Sequence, residues 1–243
     1  LNMVALKNLL KKMIINTRPI DLAKKTNTLL QKANLEFLHI PLTKIKKLTP
    51  SSEELSWIES LEEFDSIIFT SQSAVKYGVF YLERKKFIPS IISIGLATQD
   101  TLRKSNLSSK VPLTHDSEGL AELIKKNSYK RCLVFCGNKI PRLAHHTKVK
   151  IKKFSCYESQ DDANPSVDKI KGLIGSVVLI YNLQSLKVLL DHLKMNHLKQ
   201  LNLVVASKRI QKNAVSMGVD NCLVAEGPYD EDMIKAAIGV LGR

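Results

Sequence analysis

Short apolar runs alternate with amphipathic stretches along most of the chain. Met13–Thr17 and Ser66–Thr70 have the length and composition of buried strands, and each is followed by helical spacing. The other predicted strands are Leu35–Ile40, Ile91–Ile94, Arg131–Cys136, Val149–Tyr157, Ser176–Tyr181, Leu201–Ala206 and Cys222–Ala225. Strands that alternate with helices imply parallel sheets with helices on both faces, so the pattern predicts an α/β protein.

Helices are predicted between these strands, and several have recognisable ends. Pro19 lies near the start of one, Ser51 or Ser52 caps another, and Gly218 follows a third as a C-terminal glycine. The predicted helices cover Ile20–Ala33, the segment after Ser51 to about Ser60, the segment from about Gln72, the segment after Gly95 to about Ser105, the segment after His115–Gly119 to about Lys126, Leu183–Met195, Lys208–Met217 and Asp230–Leu241.

The sequence also contains two copies of one apolar pattern. Residues 65–75 match residues 176–186, and at the same offset residues 92–95 fall on residues 203–206. Residues 117–120 match residues 230–233 if the second copy carries a short insertion. Successive strand–turn–helix units in one order predict two α/β domains of similar, doubly wound parallel topology.

One of these two domains is predicted to be discontinuous along the chain, with the other inserted in it. The second copy lacks leading strands of its own, and the strands at 13–40 supply them. One domain then comprises residues 13–42 and 158–243, and the inserted domain comprises residues 48–152. The lysine-rich stretch 42–49 is predicted to be a connector, and 149–157 an exposed or connecting strand. Residues 1–12 lack the long apolar region of a signal peptide and are predicted to be an N-terminal extension.

The charge of the chain suggests an anionic partner. Lysine and arginine outnumber aspartate and glutamate by 37 to 23, which gives a net charge of +14. The alternative is that these charges serve only to keep the protein surface solvated. The basic residues are scattered and aromatic residues make up 6%, without a nucleic-acid-binding motif, so a polycarboxylate or phosphate ligand is favoured over nucleic acid. No apolar run is long enough to span a membrane.

Motifs for cofactors and for common catalytic machinery are absent from the sequence. It has no glycine-rich dinucleotide or phosphate loop, no zinc-protease motif and no nucleophile elbow. His145 and His146 are adjacent without a cysteine or carboxylate at ligand spacing, so no metal site is expected. The four cysteines form no CxxC pair, which predicts buried reduced thiols and, with the missing signal peptide, a cytoplasmic protein.

Polar and basic residues follow the predicted strands, where parallel α/β sheets bind ligands. Most lie at helix N-termini, where free N–H groups and the helix dipole favour anions. Any single serine, threonine, asparagine or aspartate there is also explained as an N-cap. Together they predict a cleft lined with donors for a ligand with many carboxylates. These residues are Thr17, Arg18, Thr70, Ser71, Gln72, Leu96, Thr98, Asp116, Ser117, Asn182, Gln184, Ser207, Lys208, Arg209 and Tyr229.

At this point the motifs resemble those of one enzyme family. The segments 17–19 (Thr-Arg-Pro), 69–75 (Phe-Thr-Ser-Gln-Ser-Ala-Val), 93–98 (Ser-Ile-Gly-Leu-Ala-Thr), 116–120 (Asp-Ser-Glu-Gly-Leu), 156–158 (Cys-Tyr-Glu) and 225–233 are similar to successive signatures of uroporphyrinogen-III synthases. The resemblance covers residues 13–243. It implies two α/β domains joined by a two-stranded linker, an active site in the cleft between them, and no metal or cofactor.

The resemblance also implies a reaction and a set of site residues. These lyases close linear hydroxymethylbilane to uroporphyrinogen III, with inversion of ring D and loss of water, in haem biosynthesis. The substrate carries eight carboxylates, which suits a basic chain. Tyr157 is the implied proton donor to the leaving hydroxyl, with simple packing in the linker as the alternative. The residues predicted to bind this substrate, from their places after the strands, are Thr17, Arg18, Thr70, Ser71, Gln72, Thr98, Ser117, Asn182, Ser207, Lys208 and Arg209. A monomer is expected, with hydroxymethylbilane synthase as a partner.

The second half departs from the family pattern in two motifs, and the middle of the chain in a third. Residues 180–182 (Ile-Tyr-Asn) replace a Phe-Thr-Ser-like signature, residues 205–209 (Val-Ala-Ser-Lys-Arg) replace Ile-Gly-Pro-Thr-Thr, and residues 136–140 lack the usual Arg-Gly pair. Asn182 keeps a hydrogen-bonding group, and Lys208 or Arg209 holds carboxylates better than threonine does. The alternatives are a non-catalytic, two-lobed anion-binding relative and a nucleic-acid-associated protein.

Overall fold

The alternating pattern forms strands and helices in nearly the predicted order. A computed structural model describes residues 12–139, 141–162, 169–171 and 173–242, so residues 1–11 of the expected extension and Ile140 lie outside the description. The described strands are β1 (Ile14–Asn16), β2 (Phe37–His39), β3 (Thr43–Lys47), β4 (Ser66–Phe69), β5 (Ser90–Ser93), β6 (Arg131–Gly137), β7 (Lys150–Asp161), β8 (Val177–Ile180), β9 (Asn202–Val205) and β10 (Cys222–Val224).

The described helices lie between these strands and begin close to the predicted positions. They are α1 (Ile20–Lys32), α2 (Ser52–Glu59), α3 (Gln72–Gly78), α4 (Leu96–Lys104), α5 (Ser117–Lys126), α6 (Leu183–His192), α7 (Met195–Leu198), α8 (Lys208–Ser216) and α9 (Asp230–Leu241), with 3₁₀ turns at Leu61–Glu63, Val79–Leu82 and Arg142–His145. The predicted cap of α2 is confirmed, because the Ser51 side chain accepts from the Glu54 N–H. Gly218 has a φ of +85°, a conformation that glycine adopts without a steric cost.

The first unit contains a parallel sheet in the order β10-β9-β8-β1-β2. Successive strand residues point to opposite faces. Ile14 and Val177 pack with α1 and α9, whereas Ile15 and Val178 pack with α6 and α8. Because helices cover both faces, the central strands β1, β8 and β9 are apolar over most of their length, which explains the apolar runs in the sequence.

The second unit contains a sheet in the order β3-β7-β6-β4-β5, in which β4 to β7 are parallel. Leu48 N–H donates to the Cys156 carbonyl oxygen, and Asp162 N–H donates to the Leu42 carbonyl oxygen. Residue numbers therefore rise along β3 as they fall along β7, so β3 is an antiparallel edge strand. Leu120 of α5 packs on one face of this sheet, and an aromatic cluster packs on the other.

The first of the two units is discontinuous in sequence, and the second is inserted in it. The first comprises the chain up to Lys44 and from Gln160 onward, and the second comprises Ile45–Ser159. The chain thus leaves the first unit within β3 and returns near the end of β7. The stretch 42–49, predicted only as a connector, is mostly a strand whose lysines alternate with Thr43 and Ile45.

The sheet order corrects the alignment of the two sequence copies. That alignment pairs β4 with β8 and β5 with β9, yet β5 lies at a sheet edge whereas β9 lies between β8 and β10. By position in the sheet, β4 and β5 correspond to β1 and β2, and β6 and β7 correspond to β8 and β9. The two sheets do share this winding order, so the predicted fold class is confirmed. Buried parallel strands followed by capped helices look alike in sequence. The apolar pattern therefore cannot determine which strand of one unit corresponds to which strand of the other.

One predicted helix ends early. The spacing predicts a continuous helix over Leu183–Met195, but α6 ends at His192 and the short helix α7 begins at Met195. Leu193 between them has an extended backbone and is 3% exposed. Leu193 packs in the core next to α6 although it lies beyond the end of the helix. The helical spacing of leucines in the sequence therefore continues past the helix itself.

Candidate functional site

Two of the predicted residues follow β1, at the carboxyl edge of the first unit's sheet. Thr17 is 1% exposed, and its hydroxyl donates to the Leu179 carbonyl oxygen at 2.5 Å. It therefore ties β1 to β8 and offers little surface to a ligand. Arg18 is half-buried, with Nε 2.9 Å from Oδ1 of Asp230 and its guanidinium carbon 3.7 Å from the centre of the Tyr181 ring.

Asp230 is a residue of this edge that sequence reasoning missed. It is the first residue of α9 and is 7% exposed, and Oδ1 accepts from Arg18, from the Thr26 hydroxyl at 2.7 Å and from the Tyr181 hydroxyl at 3.1 Å. Burial raises the pKa of Tyr181, which keeps this hydroxyl protonated and donating. Acidic residues are common in the first turn of a helix, so no signal distinguishes Asp230 from the two acidic residues after it.

The residues after β8 and β9 combine helix capping with positive charge. Asn182 Oδ1 accepts from Ser185 N–H at 2.8 Å, and Ser207 Oγ accepts from Ile210 N–H at 3.4 Å. The capping explanation therefore accounts for both. Lys208 and Arg209 are exposed in the first turn of α8, which contains no acidic residue. Their charges add to the positive end of the helix dipole, so this corner attracts anions.

In the second unit, one of the residues after β4 contacts a tyrosine of β7. Ser71 caps α3 by accepting from Ala74 N–H at 3.1 Å, and its Oγ lies 2.9 Å from the Tyr157 hydroxyl oxygen. Thr70 is half-buried and its hydroxyl donates to the Phe135 carbonyl oxygen at 3.2 Å. Gln72 is the first residue of α3 and is half-buried.

The ring of Tyr157 packs over the backbone at the end of β6. A Cβ atom at Gly137 would lie 3.3 Å from two atoms of this ring, so the absence of a side chain there leaves room for the tyrosine. The pairing of β6 with β7 shifts register at Cys136 and Gly137, which brings Tyr157 opposite Gly137. Burial raises the pKa of Tyr157 and the Ser71 hydrogen bond lowers it, with a net increase. The phenol is therefore neutral at physiological pH and can donate a proton.

The other two residues of this unit that were predicted to bind substrate are more deeply buried. Thr98 in α4 is 4% exposed, and Ser117, the first residue of α5, is 8% exposed. Asp116 caps α5 by accepting from Gly119 N–H at 2.8 Å. A Cβ atom at Gly119 would overlap the Thr114 carbonyl oxygen, so the Asp-Ser-Glu-Gly segment is explained by a tight helix start. Among the predicted residues that the structure describes in this unit, Ser71 is the one that hydrogen-bonds Tyr157.

The remaining chemistry of the described residues argues against thiol catalysis. Burial raises the pKa of Cys136 to about 12 and of Cys222 to about 11, so neither is a thiolate at neutral pH. Among the described residues, no group of three potential metal ligands forms. A groove of about 720 Å³ runs along α5 past His146 and Tyr129, and none of the predicted site residues lines it. None of the described helices is long and apolar enough to cross a membrane.

Comparisons with known proteins agree on one family. The sequence model of the family described as uroporphyrinogen-III synthase HemD matches residues 24–235. None of the curated proteins matches at a significant level. Among solved structures, a mutant uroporphyrinogen III synthase from the extremely thermophilic bacterium Thermus thermophilus is similar with a TM-score of 0.61 at 14% identity, covering 96% of this chain and 99% of that one. The uroporphyrinogen-III synthetase of Helicobacter pylori has a TM-score of 0.61 at 16% identity, covering 95% and 100%. At such identities these structures show the fold.

Proposed function

This chain belongs to the uroporphyrinogen-III synthase family, and we propose that it closes hydroxymethylbilane to uroporphyrinogen III in haem biosynthesis. The reaction inverts ring D and releases one water, so the protein is a carbon–oxygen lyase. The family match over residues 24–235 carries this proposal. The hydroxyl pair in the second unit and the basic corner in the first unit support it, because the substrate needs a proton donor and carboxylate partners.

The proposed reaction begins with loss of the terminal hydroxyl of the substrate. Protonation of that hydroxyl breaks the C–O bond, water leaves, and an azafulvene cation remains. Ring D then attacks through its substituted carbon to give a spiro intermediate, which reopens and recloses with the ring inverted. A final proton loss from carbon balances the first protonation, so the net change is one water released. No metal or cofactor is needed for these steps.

The Tyr157–Ser71 pair is proposed as the source of the first proton. Each hydroxyl has one hydrogen, and their mutual contact uses only one of the two. Ser71 Oγ already accepts from Ala74 N–H, so the geometry leaves one O–H of the pair to donate outward. The raised pKa keeps Tyr157 protonated and makes it a weak acid, which suits a leaving group that departs readily.

Carboxylate binding is the second proposed task, because the uncatalysed reaction closes the ring without inversion. The protein must hold the flexible tetrapyrrole so that the inverting attack is faster, which is mainly an effect of positioning. Arg18, Asn182, Ser207, Lys208 and Arg209 in the first unit are proposed to hold carboxylates. In the second unit we propose the same for Thr70, Ser71 and Gln72. Thr17, Thr98 and Ser117 remain proposed contacts, although their burial leaves them little surface.

We also propose that the protein acts as a monomer in the cytoplasm and receives its unstable substrate from hydroxymethylbilane synthase. Neither nucleic acid nor a membrane is a proposed partner. Light scattering during size-exclusion chromatography tests the monomer. Titration of the synthase with this protein tests for direct transfer, which would shorten the lag before isomer III forms.

The central experiment is a coupled isomer assay. Hydroxymethylbilane is generated in situ by its synthase, this protein is added, and the products are oxidised and separated. We expect mainly isomer III. Formation of isomer I alone by a folded protein would contradict the proposed reaction. It would favour instead the non-catalytic anion-binding relative, in which the departures at residues 180–182 and 205–209 have removed catalysis.

A further inference from the structure

We propose that Asp230 is a positioning residue that holds the Arg18 guanidinium in place to bind one carboxylate of the ligand. This inference rests on the function proposed above. It adds Asp230, with Tyr181 and Thr26 as its supports, to the residues that determine binding. All of these residues belong to the first unit.

The guanidinium of Arg18 is fixed on two of its sides. Its Nε atom donates to Asp230 Oδ1 at 2.9 Å, and its central carbon lies 3.7 Å from the centre of the Tyr181 ring. The first contact sets the direction of the side chain, and the second limits its movement on the side of the ring. A planar group restrained in this way loses little further freedom when it binds a ligand, so more of the contact energy appears as affinity.

Apart from a hydrogen bond between Arg18 and the Tyr181 hydroxyl, the two terminal nitrogens of Arg18 have no protein partner among the described residues. In the part of the chain that the structure describes, no carboxylate or carbonyl oxygen accepts a hydrogen bond from either of them. The buried side-chain polar atoms without a partner in that part are Thr43 Oγ1 and His197 Nδ1, and the Arg18 side chain is 14% exposed. Two adjacent N–H groups on a planar fork match the two oxygens of a carboxylate.

Asp230 is itself restrained. Oδ1 also accepts from the Thr26 hydroxyl at 2.7 Å and from the Tyr181 hydroxyl at 3.1 Å, and Thr26 is 0% exposed in α1. Tyr181 therefore contacts both members of the pair, Arg18 through its ring and Asp230 through its hydroxyl. Because Arg18 and Asp230 together carry no net charge, their contribution to ligand binding is geometric: they present the fork, while the cations of α8 supply attraction.

The test is a double-mutant cycle on ligand affinity. The probe is uroporphyrin I, a stable porphyrin with eight carboxylates, and its fluorescence is titrated with wild-type protein, Arg18→Gln, Asp230→Asn and the double variant. Asp191→Asn is the matched control, because it makes the same chemical change at an exposed position near the end of α6, at the opposite edge of the sheet. The isomer assay is run on the same proteins.

We expect Arg18→Gln to weaken binding by about tenfold or more, since it removes a charge-assisted pair of hydrogen bonds. Asp230→Asn should weaken it severalfold, with a raised KM and a smaller change in kcat, and Asp191→Asn should behave as wild type. The double variant should bind no more weakly than Arg18→Gln, because Asp230 acts through Arg18.

Two results would overturn the inference: Asp230→Asn binding like the Asp191→Asn control, or losses that add in the double variant. If Asp230→Asn does not fold, Tyr181→Phe replaces it, since this change removes one hydrogen bond to Asp230 and keeps the ring under Arg18. It should then weaken binding about twofold to threefold, and unchanged affinity would contradict the inference. A wild-type protein that binds with the expected pattern but forms no isomer III would refute the proposed reaction and leave the carboxylate site standing.

Discussion

The carboxyl edges of the two sheets differ in chemistry although the sheets share one winding order. In the first unit this edge contains an ion pair between half-buried Arg18 and buried Asp230, and the exposed cations Lys208 and Arg209. In the second unit it contains two neutral hydroxyls, Ser71 and Tyr157, in contact at 2.9 Å. The same backbone arrangement thus suits charge recognition at one edge and proton donation at the other, because the residues after the strands decide the chemistry.

The cores of the two units differ as well. The second unit stacks Phe69, Phe135 and Phe154, with ring centroids 4.7 and 4.6 Å apart along the series, and Tyr81 meets Phe154 edge-on at 5.1 Å. The described core of the first unit is aliphatic, built mainly from isoleucine, leucine and valine. Aromatic side chains bury more area each, so fewer residues carry the stability of the second unit.

The largest expected effect tests this aromatic core. Phe135 is fully buried between Phe69 and Phe154, so Phe135→Ala should lower the free energy of unfolding of the second unit by about 3–5 kcal/mol. Trp57, the one tryptophan of the chain, packs on this cluster, and its fluorescence during urea denaturation reports the transition. Phe87→Ala is the matched control, since Phe87 is 54% exposed. Equal shifts for the two variants would mean that the stacked rings do not carry the stability of this unit.

The next effect tests the neutral hydroxyl edge. Tyr157→Phe should lower kcat for isomer III by about tenfold to a hundredfold. This loss is small for the removal of a general acid, because the substrate ionises readily and water can replace the phenol as proton donor. The fraction of isomer III in the enzymatic product should stay unchanged, since the carboxylate contacts remain.

The control for that experiment removes a hydroxyl elsewhere in the same unit. The Tyr129 hydroxyl accepts from Lys110 at 3.0 Å and lies in the groove along α5, so Tyr129→Phe should keep full turnover. If Tyr157→Phe also kept full turnover, Tyr157 would only pack over Gly137. If it raised KM rather than lowering kcat, the division of roles between the two edges would be wrong.

The sequence predicts the fold better than it predicts the site. Apolar strands and capped helices reveal α/β layering, because the central strands are buried on both faces and the side-chain caps have a local chemical signature. The same uniformity hides the sheet order, which is why the repeat aligned β4 with β8 instead of with β1. Leu193 shows a second limit, since burial in the core keeps the leucine spacing of α6 beyond the end of the helix.

Site residues with a local signature are the easiest to find from sequence. Arg18, Ser71 and Asn182 each follow a predicted strand, so their placement at the carboxyl edge is predictable. Asp230 is about two hundred positions from Arg18, and the ion pair between them depends on α1 and α9 packing on one face of the sheet. The contact between Tyr157 and Ser71 likewise depends on a register shift between β6 and β7, which leaves no mark in the hydrophobic pattern.

The smallest expected effect compares a charged cap in the second unit with a neutral cap in the first. Asp116 and Asn182 each accept from the N–H three residues on, at 2.8 Å in both cases. Asp116→Ala should destabilise α5, and Asn182→Ala should destabilise α6, by about 1 kcal/mol at neutral pH.

The two caps should respond differently to pH. The Gly119 N–H lowers the pKa of Asp116 in the folded protein. The stabilisation from the ionised Asp116 cap is therefore fully present above the pKa of the unfolded state, and it is lost as the pH falls through the pKa of the folded state. The penalty for Asp116→Ala should therefore shrink in acid while that for Asn182→Ala persists. Amide hydrogen exchange of the two helices, with each variant compared to wild type at the same pH, measures both penalties. An equal response of the two penalties to acid would show that the charge of Asp116 is irrelevant to its cap.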